Sequence, residues 1–168
     1  MSEHPREAAL LAALDALGIA WKLHEHMAVF TVEQSLAIHD ELPGAHTKNL
    51  FLKDAGGAYW LLTVPHDCSV DLKAAAALLA AKKFSFAKPE PLEELLALQP
   101  GSVTPLGAFN DAAGLVRVVI DRALAEAETV NVHPLRNTAT LALSGGDLLR
   151  ALTAWGHDPL VADLPRRG

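Results

Sequence analysis

The residues best suited to chemistry form three polar clusters, each beside an apolar run of the chain. The clusters are HTKN at 46–49, GSVTP at 101–105 and HPLRNTAT at 133–140. A lysine offers a positive charge, a glycine lets a ligand approach the backbone, and histidine and asparagine form hydrogen bonds. These residue types can bind and position a ligand. Each cluster alone is also typical of a solvated lysine, a common turn or an ordinary loop.

Motifs for the familiar nucleophile, phosphate, dinucleotide and redox sites are missing from the sequence. There is no GxSxG elbow, no phosphate loop, no GxGxxG and no CxxC. The eight histidines include the pair His24 and His26, and His66 has the same spacing from Cys68. Zinc sites use three or four convergent ligands at a recognisable spacing, which these pairs do not supply. We therefore expect no metal and no cofactor.

Helix and strand patterns alternate along the first half of the chain. They predict a helix at 5–17, a strand at 19–26, a short helix at 32–39, and the two strands of a hairpin at 49–54 and 58–65. Leucines at helical spacing before Gly18 indicate the first helix. Thr31 and Gln34 have the spacing of a capping box for the second helix. The glycine turn AGG between two apolar runs indicates the hairpin.

The second half continues the alternation. It predicts helices at 71–83, 91–98 and 145–156, strands at 84–87, 115–121, 129–134 and 138–144, and a final edge segment at 157–165. A short helix-compatible stretch separates the second and third of these strands. Alternation of this kind implies a mixed α/β or α+β fold. We expect a single domain over residues 1–168, in which helices flank a mixed, largely antiparallel central sheet.

Length and composition limit the possible functions. The chain has 168 residues, 51% of them hydrophobic, which is enough for one core that buries most of its apolar surface. No apolar run reaches the roughly 18 residues that span a bilayer, and the first residues lack a signal-peptide pattern. We therefore expect a cytoplasmic protein without membrane contact. The formal net charge of -6 argues against a general coat on nucleic acid and against DNA as a partner, but allows a local basic surface.

Several stretches, taken together, carry a resemblance to a known family. They are AVFTVEQS at 28–35, HTKNLFLKD at 46–54, YWLLTV at 59–64, GSVTP at 101–105 and VHPLRNTATLALS at 132–144. The chain resembles the YbaK/ProX family of free-standing aminoacyl-tRNA editing domains, and within it the ProXp-ala (PrdX) branch. The nine-residue stretch around Lys48 is the most specific of the five. Arg136 has no clear counterpart in the family pattern, so its role stays open.

The resemblance implies hydrolysis of the ester between a wrongly attached amino acid and the 3′-terminal ribose of a tRNA. In this branch the product removed is alanine from proline tRNA. A missing methylene gives a synthetase only about 1 to 3 kcal/mol of discrimination, so a second site must remove the error. The implied partners are the acceptor end of tRNA(Pro) carrying alanine and, as a further candidate, prolyl-tRNA synthetase.

The same resemblance implies a catalytic pair. An aminoacyl ester is already activated, so hydrolysis needs a positioned water and a stabilised oxyanion more than a protein nucleophile. Lys48, projecting from the end of a strand, would hold the terminal phosphate or ribose. Gly101 would let backbone groups approach the ester carbonyl or the 2′-hydroxyl, and Pro105 would stiffen that loop.

Further residues complete the predicted site. The substrate-binding candidates are Met27, Val29, Phe30, Thr31, Asn49, Ser102, Pro105, His133, Asn137 and Thr138, and the tRNA-binding candidates are Lys73, Lys82, Lys83 and Lys88. The first three would form the apolar wall of a small amino-acid pocket, or belong to the core. His133 would hydrogen-bond a water or the substrate amine, or would hold its loop. The lysines would form a basic rim, or a solvated helix face.

Two alternative functions stay open on the sequence. One is the same reaction with another specificity, for cysteine on tRNA(Pro) or for mischarged serine or threonine. The other is a non-catalytic module that keeps the fold and binds tRNA or a synthetase. Lys48 and Gly101 are both present, which favours an enzyme over the binding module.

Overall fold

The computed structural model describes residues 5–27, 37 and 42–167. Of the predicted site residues, Val29, Phe30 and Thr31 lie outside the described part of the chain. The short helix predicted at 32–39 also lies outside it, apart from residue 37. No helix among the described residues is both long and apolar enough to cross a membrane.

Helices and strands follow the predicted order. The α-helices are α1 (Pro5–Ala16), α2 (Leu72–Leu78), α3 (Pro89–Leu96), α4 (Arg122–Ala125) and α5 (Gly145–Ala154). The strands are β1 (Lys22–Glu25), β2 (Ala45–Asp54), β3 (Tyr59–Pro65), β4 (Phe84–Phe86), β5 (Val116–Asp121), β6 (Val130–Val132), β7 (Ala139–Leu143) and β8 (Leu160–Ala162). Two 3-10 turns, Pro100–Ser102 and Pro105–Asn110, lie between α3 and β5.

The described strands form one mixed sheet in the order β1-β7-β6-β2-β3-β5-β8, and β4 pairs with the end of β2. The pairs β1–β7, β6–β7, β2–β3 and β2–β4 are antiparallel. The pairs β2–β6, β3–β5 and β5–β8 are parallel. The predicted mixed fold and the hairpin are therefore confirmed, and the last strand lies at the sheet edge as expected.

Helices cover the two faces of the sheet unequally. Leucines of α1 and α5 pack on one face, against β5, β6 and β7, and α3 packs on the same face against Phe51 and Leu61. The helix α2 packs on the other face, against Leu52, Trp60 and Leu62. Because side chains alternate along a strand, consecutive residues of β2 point to opposite faces.

A carboxylate organises the β2–β3 hairpin. Asp54 accepts hydrogen bonds from the backbone N–H groups of Gly56 and Ala58, at 2.8 and 3.0 Å, and from the buried indole of Trp60 at 3.0 Å. The indole bond is the main cause that lowers the pKa of Asp54, although burial opposes it. The turn therefore fixes the register between β2 and β3.

The start of β2 differs from the sequence prediction. The strand begins at Ala45, whereas the apolar run predicted a start at Asn49. Ala45 and His46 pair with β6, and Thr47 and Lys48 pair with β3. Lys48 is thus inside β2, where it pairs with Val64 of β3, and it does not project from a strand end.

Candidate functional site

Lys48 lies on the face of the sheet that also carries α2. It is half-buried and lines an open pocket of about 480 Å³ together with Leu50 and Phe86. The segment 69–72 and Arg167 complete the lining. A lysine fixed on a paired strand has a backbone that cannot move freely, so its charge is held at a defined place.

The strand register extends this face across β6, β7 and β1. His46 pairs with Asn131, Asn131 pairs with Ala142, and Thr140 in β7 pairs with His24. Paired residues on neighbouring strands point to the same face. Since Lys48 is two residues after His46, it belongs to a continuous polar surface that includes Asn131 and Thr140.

His133 continues this polar surface at the end of β6. It lies two residues after Asn131, as Lys48 lies two residues after His46 in the parallel neighbour β2. The pairing of β2 with β6 ends at His46 and Asn131. By the alternation of side chains, Lys48 and His133 follow these two residues on the same face of the sheet. His26 joins them from the end of β1, where its Nε2 contacts Thr140 Oγ1 at 2.9 Å.

The ring of His133 is half-buried and hydrogen-bonded. Its Nδ1 lies 3.2 Å from the carbonyl oxygen of Ala139, which can only accept, so Nδ1 donates. In the neutral ring the lone pair is then at Nε2. Burial is the main cause that lowers the pKa of His133 below 6.5, the Ala139 bond opposes it, and the nearby His26 lowers it further. At neutral pH His133 is therefore an uncharged ring with an acceptor nitrogen.

Arg136 holds the loop that follows His133. Its guanidinium donates to both carboxylate oxygens of Glu7 in α1, at 2.9 and 3.1 Å, and to Glu25 in β1 at 2.9 Å. It also donates to the hydroxyl of Thr138 at 2.8 Å. The Glu7 bond is the main cause that raises the pKa of Arg136. This residue, whose role the sequence left open, ties the 133–138 loop to α1 and β1.

Asn49 points to the opposite face from Lys48. Its amide nitrogen donates to the carbonyl of Val103 at 2.9 Å, and its amide oxygen accepts from Thr63 at 2.6 Å. The bond to Val103 fixes the GSVTP segment on β2. Both polar atoms of Asn49 therefore have partners within the protein. These hydrogen bonds explain why a polar residue occupies this position of the HTKN cluster.

The GSVTP segment also meets the 133–138 loop. A Cβ atom added at Gly101 would lie 3.3 Å from Nδ2 of Asn137, which leaves little room for a side chain. Gly101 itself is exposed, whereas Ser102 and Pro105 are buried. The structure thus brings Asn49, the GSVTP segment and Asn137 together, with Lys48 on the other side of β2.

The remaining predicted residues are more dispersed. Met27 is 82% exposed, so packing in the core, one of its two predicted roles, is wrong for this residue. The lysines of the predicted basic rim are all exposed, on α2, before β4 and before α3: Lys73, Lys82, Lys83 and Lys88. Cys68 is buried and has no disulfide partner. In the part of the chain that the structure describes, no three histidine, cysteine or acidic side chains come close enough to hold a metal ion.

Sequence reasoning missed Phe86 and Arg167, which line the pocket beside Lys48. Phe86 belongs to the short strand that the pattern FSFA predicted, where an aromatic ring between lysines was the available signal. Arg167 comes from the end of the chain, and no local pattern connects it with the pocket.

The sequence of the chain matches known proteins. The family model described as "Aminoacyl-tRNA editing domain" matches residues 26–151. The "Prolyl-tRNA editing protein ProX" of Acetoanaerobium sticklandii is 39% identical over 150 residues, covering 89% of this chain and 92% of that protein. The "Prolyl-tRNA synthetase associated domain-containing protein 1" of Bos taurus is 40% identical, covering 95% of each chain.

A solved structure shares the fold. The crystal structure of a candidate trans-editing enzyme for prolyl tRNA synthetase has a TM-score of 0.75 with this chain at 24% identity. The match covers 99% of this chain and 100% of the other. The mixed sheet with its flanking helices is therefore an architecture that is already known.

Proposed function

The chain belongs to the family of aminoacyl-tRNA editing domains, and from this premise we propose that it is a trans-editing deacylase for alanyl-tRNA(Pro). The observation that carries the proposal is the match of the editing-domain model over residues 26–151, together with a relative named as a prolyl-tRNA editing protein. Lys48 in its open pocket and the neutral, half-buried ring of His133 are consistent with it. We also propose that residues 1–168 act as one editing domain in the cytoplasm.

The proposed mechanism uses positioning in place of a protein nucleophile. Lys48 binds the terminal phosphate or ribose and holds the ester at the sheet surface. The neutral His133 accepts a hydrogen bond at Nε2 from the attacking water or from the substrate amine. A backbone contact from Gly101 to the carbonyl or the 2′-hydroxyl, where the absence of a side chain permits close approach, stays a separate prediction, because the GSVTP segment lies across β2 from the side chain of Lys48. The substrate's own 2′-hydroxyl assists the water.

Selectivity in the proposed reaction depends on size. From the sequence we propose that Met27, Val29 and Phe30, with Phe30 foremost, form the apolar wall of a pocket that takes alanine and excludes the proline ring by steric clash. Such a pocket does not exclude a smaller residue, so glycine on the same tRNA is a partial substrate. The partners are the acceptor end of tRNA(Pro) and prolyl-tRNA synthetase.

A panel of charged tRNAs tests the proposal. Single-turnover hydrolysis is measured on alanyl-, glycyl-, seryl-, cysteinyl- and prolyl-tRNA(Pro), with wild type, Lys48→Ala and Lys53→Ala. We expect fast cleavage of the alanyl ester and slow cleavage of the prolyl ester. Lys48→Ala should lower the alanyl rate by about 100-fold, because a misplaced ester reacts poorly.

Lys53→Ala is the matched control. This lysine lies on the same strand but on the opposite face, 5.6 Å from the ring of Tyr59, and it should keep the wild-type rate. Rapid hydrolysis of prolyl-tRNA(Pro) would contradict the editing function. Preference for the cysteinyl or seryl ester would replace the alanine specificity. Binding of tRNA without any cleavage would favour the non-catalytic module.

A further inference from the structure

An exposed aromatic ring borders the pocket of Lys48. Phe86 in β4 is 65% exposed, although it is a large apolar side chain. Its backbone is fixed, because it pairs with Leu52 of β2 and the next residue, Ala87, donates to the carbonyl of Phe51 at 3.0 Å. A ring held rigidly at a pocket edge loses little conformational freedom when a flat ligand packs on it.

The pocket combines this ring with an apolar floor and two cations. Leu50, Val70 and Leu72 supply the apolar lining, and Lys48 and Arg167 supply the positive charge. Its volume of about 480 Å³ falls in the range of small-ligand sites.

Arg167 is held in place by the backbone. Its N–H donates to the carbonyl of Ser69 at 2.8 Å, and the preceding residue, Arg166, forms a β-bridge with Val70. Asp71 also lines the pocket, and its Oδ1 accepts the N–H of Ala74 at the start of α2, at 3.0 Å. The charged side chains of the lining therefore comprise two cations and one carboxylate that caps a helix.

We propose that this pocket binds a nucleotide of the single-stranded 3′ end of the tRNA. A base stacks on Phe86, and the phosphates on either side of it contact Lys48 and Arg167. This inference rests on the proposed function and deepens it, because the CCA end is the RNA adjoining the ester that Lys48 would hold. Aromatic stacking combined with a positively charged path is how proteins bind single-stranded RNA without reading an extended sequence.

Direct binding of the trinucleotide rCrCrA, labelled with fluorescein at its 5′ end, tests the pocket without any need for hydrolysis. Fluorescence anisotropy at a fixed salt concentration gives Kd for wild type and variants. Phe86→Ala and Phe86→Leu should weaken binding about tenfold, since both lose the flat ring. Phe86→Tyr keeps the ring and should bind like wild type. Arg167→Ala should weaken binding severalfold and reduce its salt dependence.

Two controls match these variants. Leu115→Ala removes another exposed apolar side chain, 58% exposed and outside the pocket. Arg122→Ala removes one positive charge from an exposed ion pair with Asp163. Both should keep the wild-type Kd for rCrCrA.

The outcomes separate the pocket from the proposed reaction. Weaker trinucleotide binding in Phe86→Ala and Phe86→Leu, with Leu115→Ala unchanged, supports the pocket even if no mischarged tRNA is cleaved. If wild type cleaves alanyl-tRNA(Pro) and the Phe86 and Arg167 variants bind rCrCrA like the controls, the pocket is overturned and the deacylase stands. Failure of wild type to bind rCrCrA at all also overturns the pocket.

Discussion

At the scale of single residues, the two ring nitrogens of His133 have different roles. Nδ1 donates to Ala139 at 3.2 Å, so one of the two roles that the sequence left open, holding the loop, is a contact seen in the structure. The other role, a hydrogen bond to water or to the substrate amine, stays a prediction. The atom that would accept this hydrogen bond is Nε2, which carries the lone pair of the neutral ring.

Two substitutions separate these roles of His133. Asparagine places its amide nitrogen near the position of Nδ1, and glutamine places its amide near Nε2. His133→Asn should keep the bond to Ala139 and the folded stability but lower the alanyl-tRNA(Pro) rate by about 100-fold, because the acceptor is lost. His133→Gln should keep more of that rate and unfold more readily. Rates come from single-turnover assays, and stability comes from urea titrations.

The pH dependence of the rate follows from the lowered pKa of His133. Above this pKa, which lies below 6.5, the ring is neutral and accepts a hydrogen bond; as pH falls through it, the ring gains a proton and the rate drops. The acid limb should disappear in His133→Asn, in which the titrating ring is absent. A wild-type rate in His133→Asn would reduce His133 to a loop anchor.

At the scale of elements, the 133–138 loop depends on two carboxylates in very different surroundings. Glu7 is buried and Arg136 is largely covered, with side-chain exposures of 7% and 14%, whereas the side chain of Glu25 is 72% exposed. Removing one partner of a buried pair leaves a charge without compensation, which is costly, and exposed pairs contribute little. We therefore expect the ion pair of Arg136 with Glu7 to stabilise the 133–138 loop more than the ion pair with Glu25.

The prediction compares Glu7→Gln with Glu25→Gln. Glu7→Gln should lower the free energy of unfolding by about 3 kcal/mol. Glu25→Gln should lower it by less than about 1 kcal/mol, because solvent screens the exposed partner. Urea unfolding at neutral pH measures both, and Arg136→Ala completes the double-mutant cycles. Equal losses in the two glutamine variants would show that burial does not decide the strength of this contact.

The elements themselves were largely predictable, and the exceptions share a physical cause. Apolar periodicity and the glycine turn indicated the hairpin, and the alternation indicated the mixed sheet. The start of β2 was missed because Thr47 and Asn49 satisfy their polar groups inside the sheet, with the carbonyl oxygens of Asn131 and Val103. Partners so distant along the chain leave no local pattern.

The residues of the candidate site were also only partly predictable from the sequence. The sequence singled out Lys48 and His133, which follow the paired residues His46 and Asn131 on neighbouring strands. It did not reveal that Asn49 and Lys48 point to opposite faces, because that depends on how far the strand extends. Nor could it find Arg167, which reaches the pocket through a bridge between its neighbour Arg166 and Val70.

At the scale of the whole molecule, the proposed function requires an acidic chain to bind a polyanion, the tRNA. The formal net charge is -6, so contact with RNA requires a local concentration of cations. Lys73 directly follows Leu72 of the pocket, and Lys88 lies two residues after Phe86. With Lys82 and Lys83 they form the proposed basic rim, whose proposed role is to contact the acceptor stem. The alternative is a solvated helix face.

Salt dependence decides between these two interpretations of the rim. Replacing all four lysines with glutamine should lower kcat/KM on alanyl-tRNA(Pro) at low salt by more than tenfold. It should also reduce the slope of log kcat/KM against log salt by roughly 3, since each phosphate contact contributes close to one unit. Lys53→Gln, on the other face of β2, should leave the slope unchanged. A short substrate, the alanyl ester of rCrCrA, lacks the acceptor stem, and its hydrolysis should be the same in wild type and in the quadruple variant. A wild-type salt slope in the quadruple variant would make the rim an ordinary solvated surface, and the acceptor stem would then have to contact the protein elsewhere.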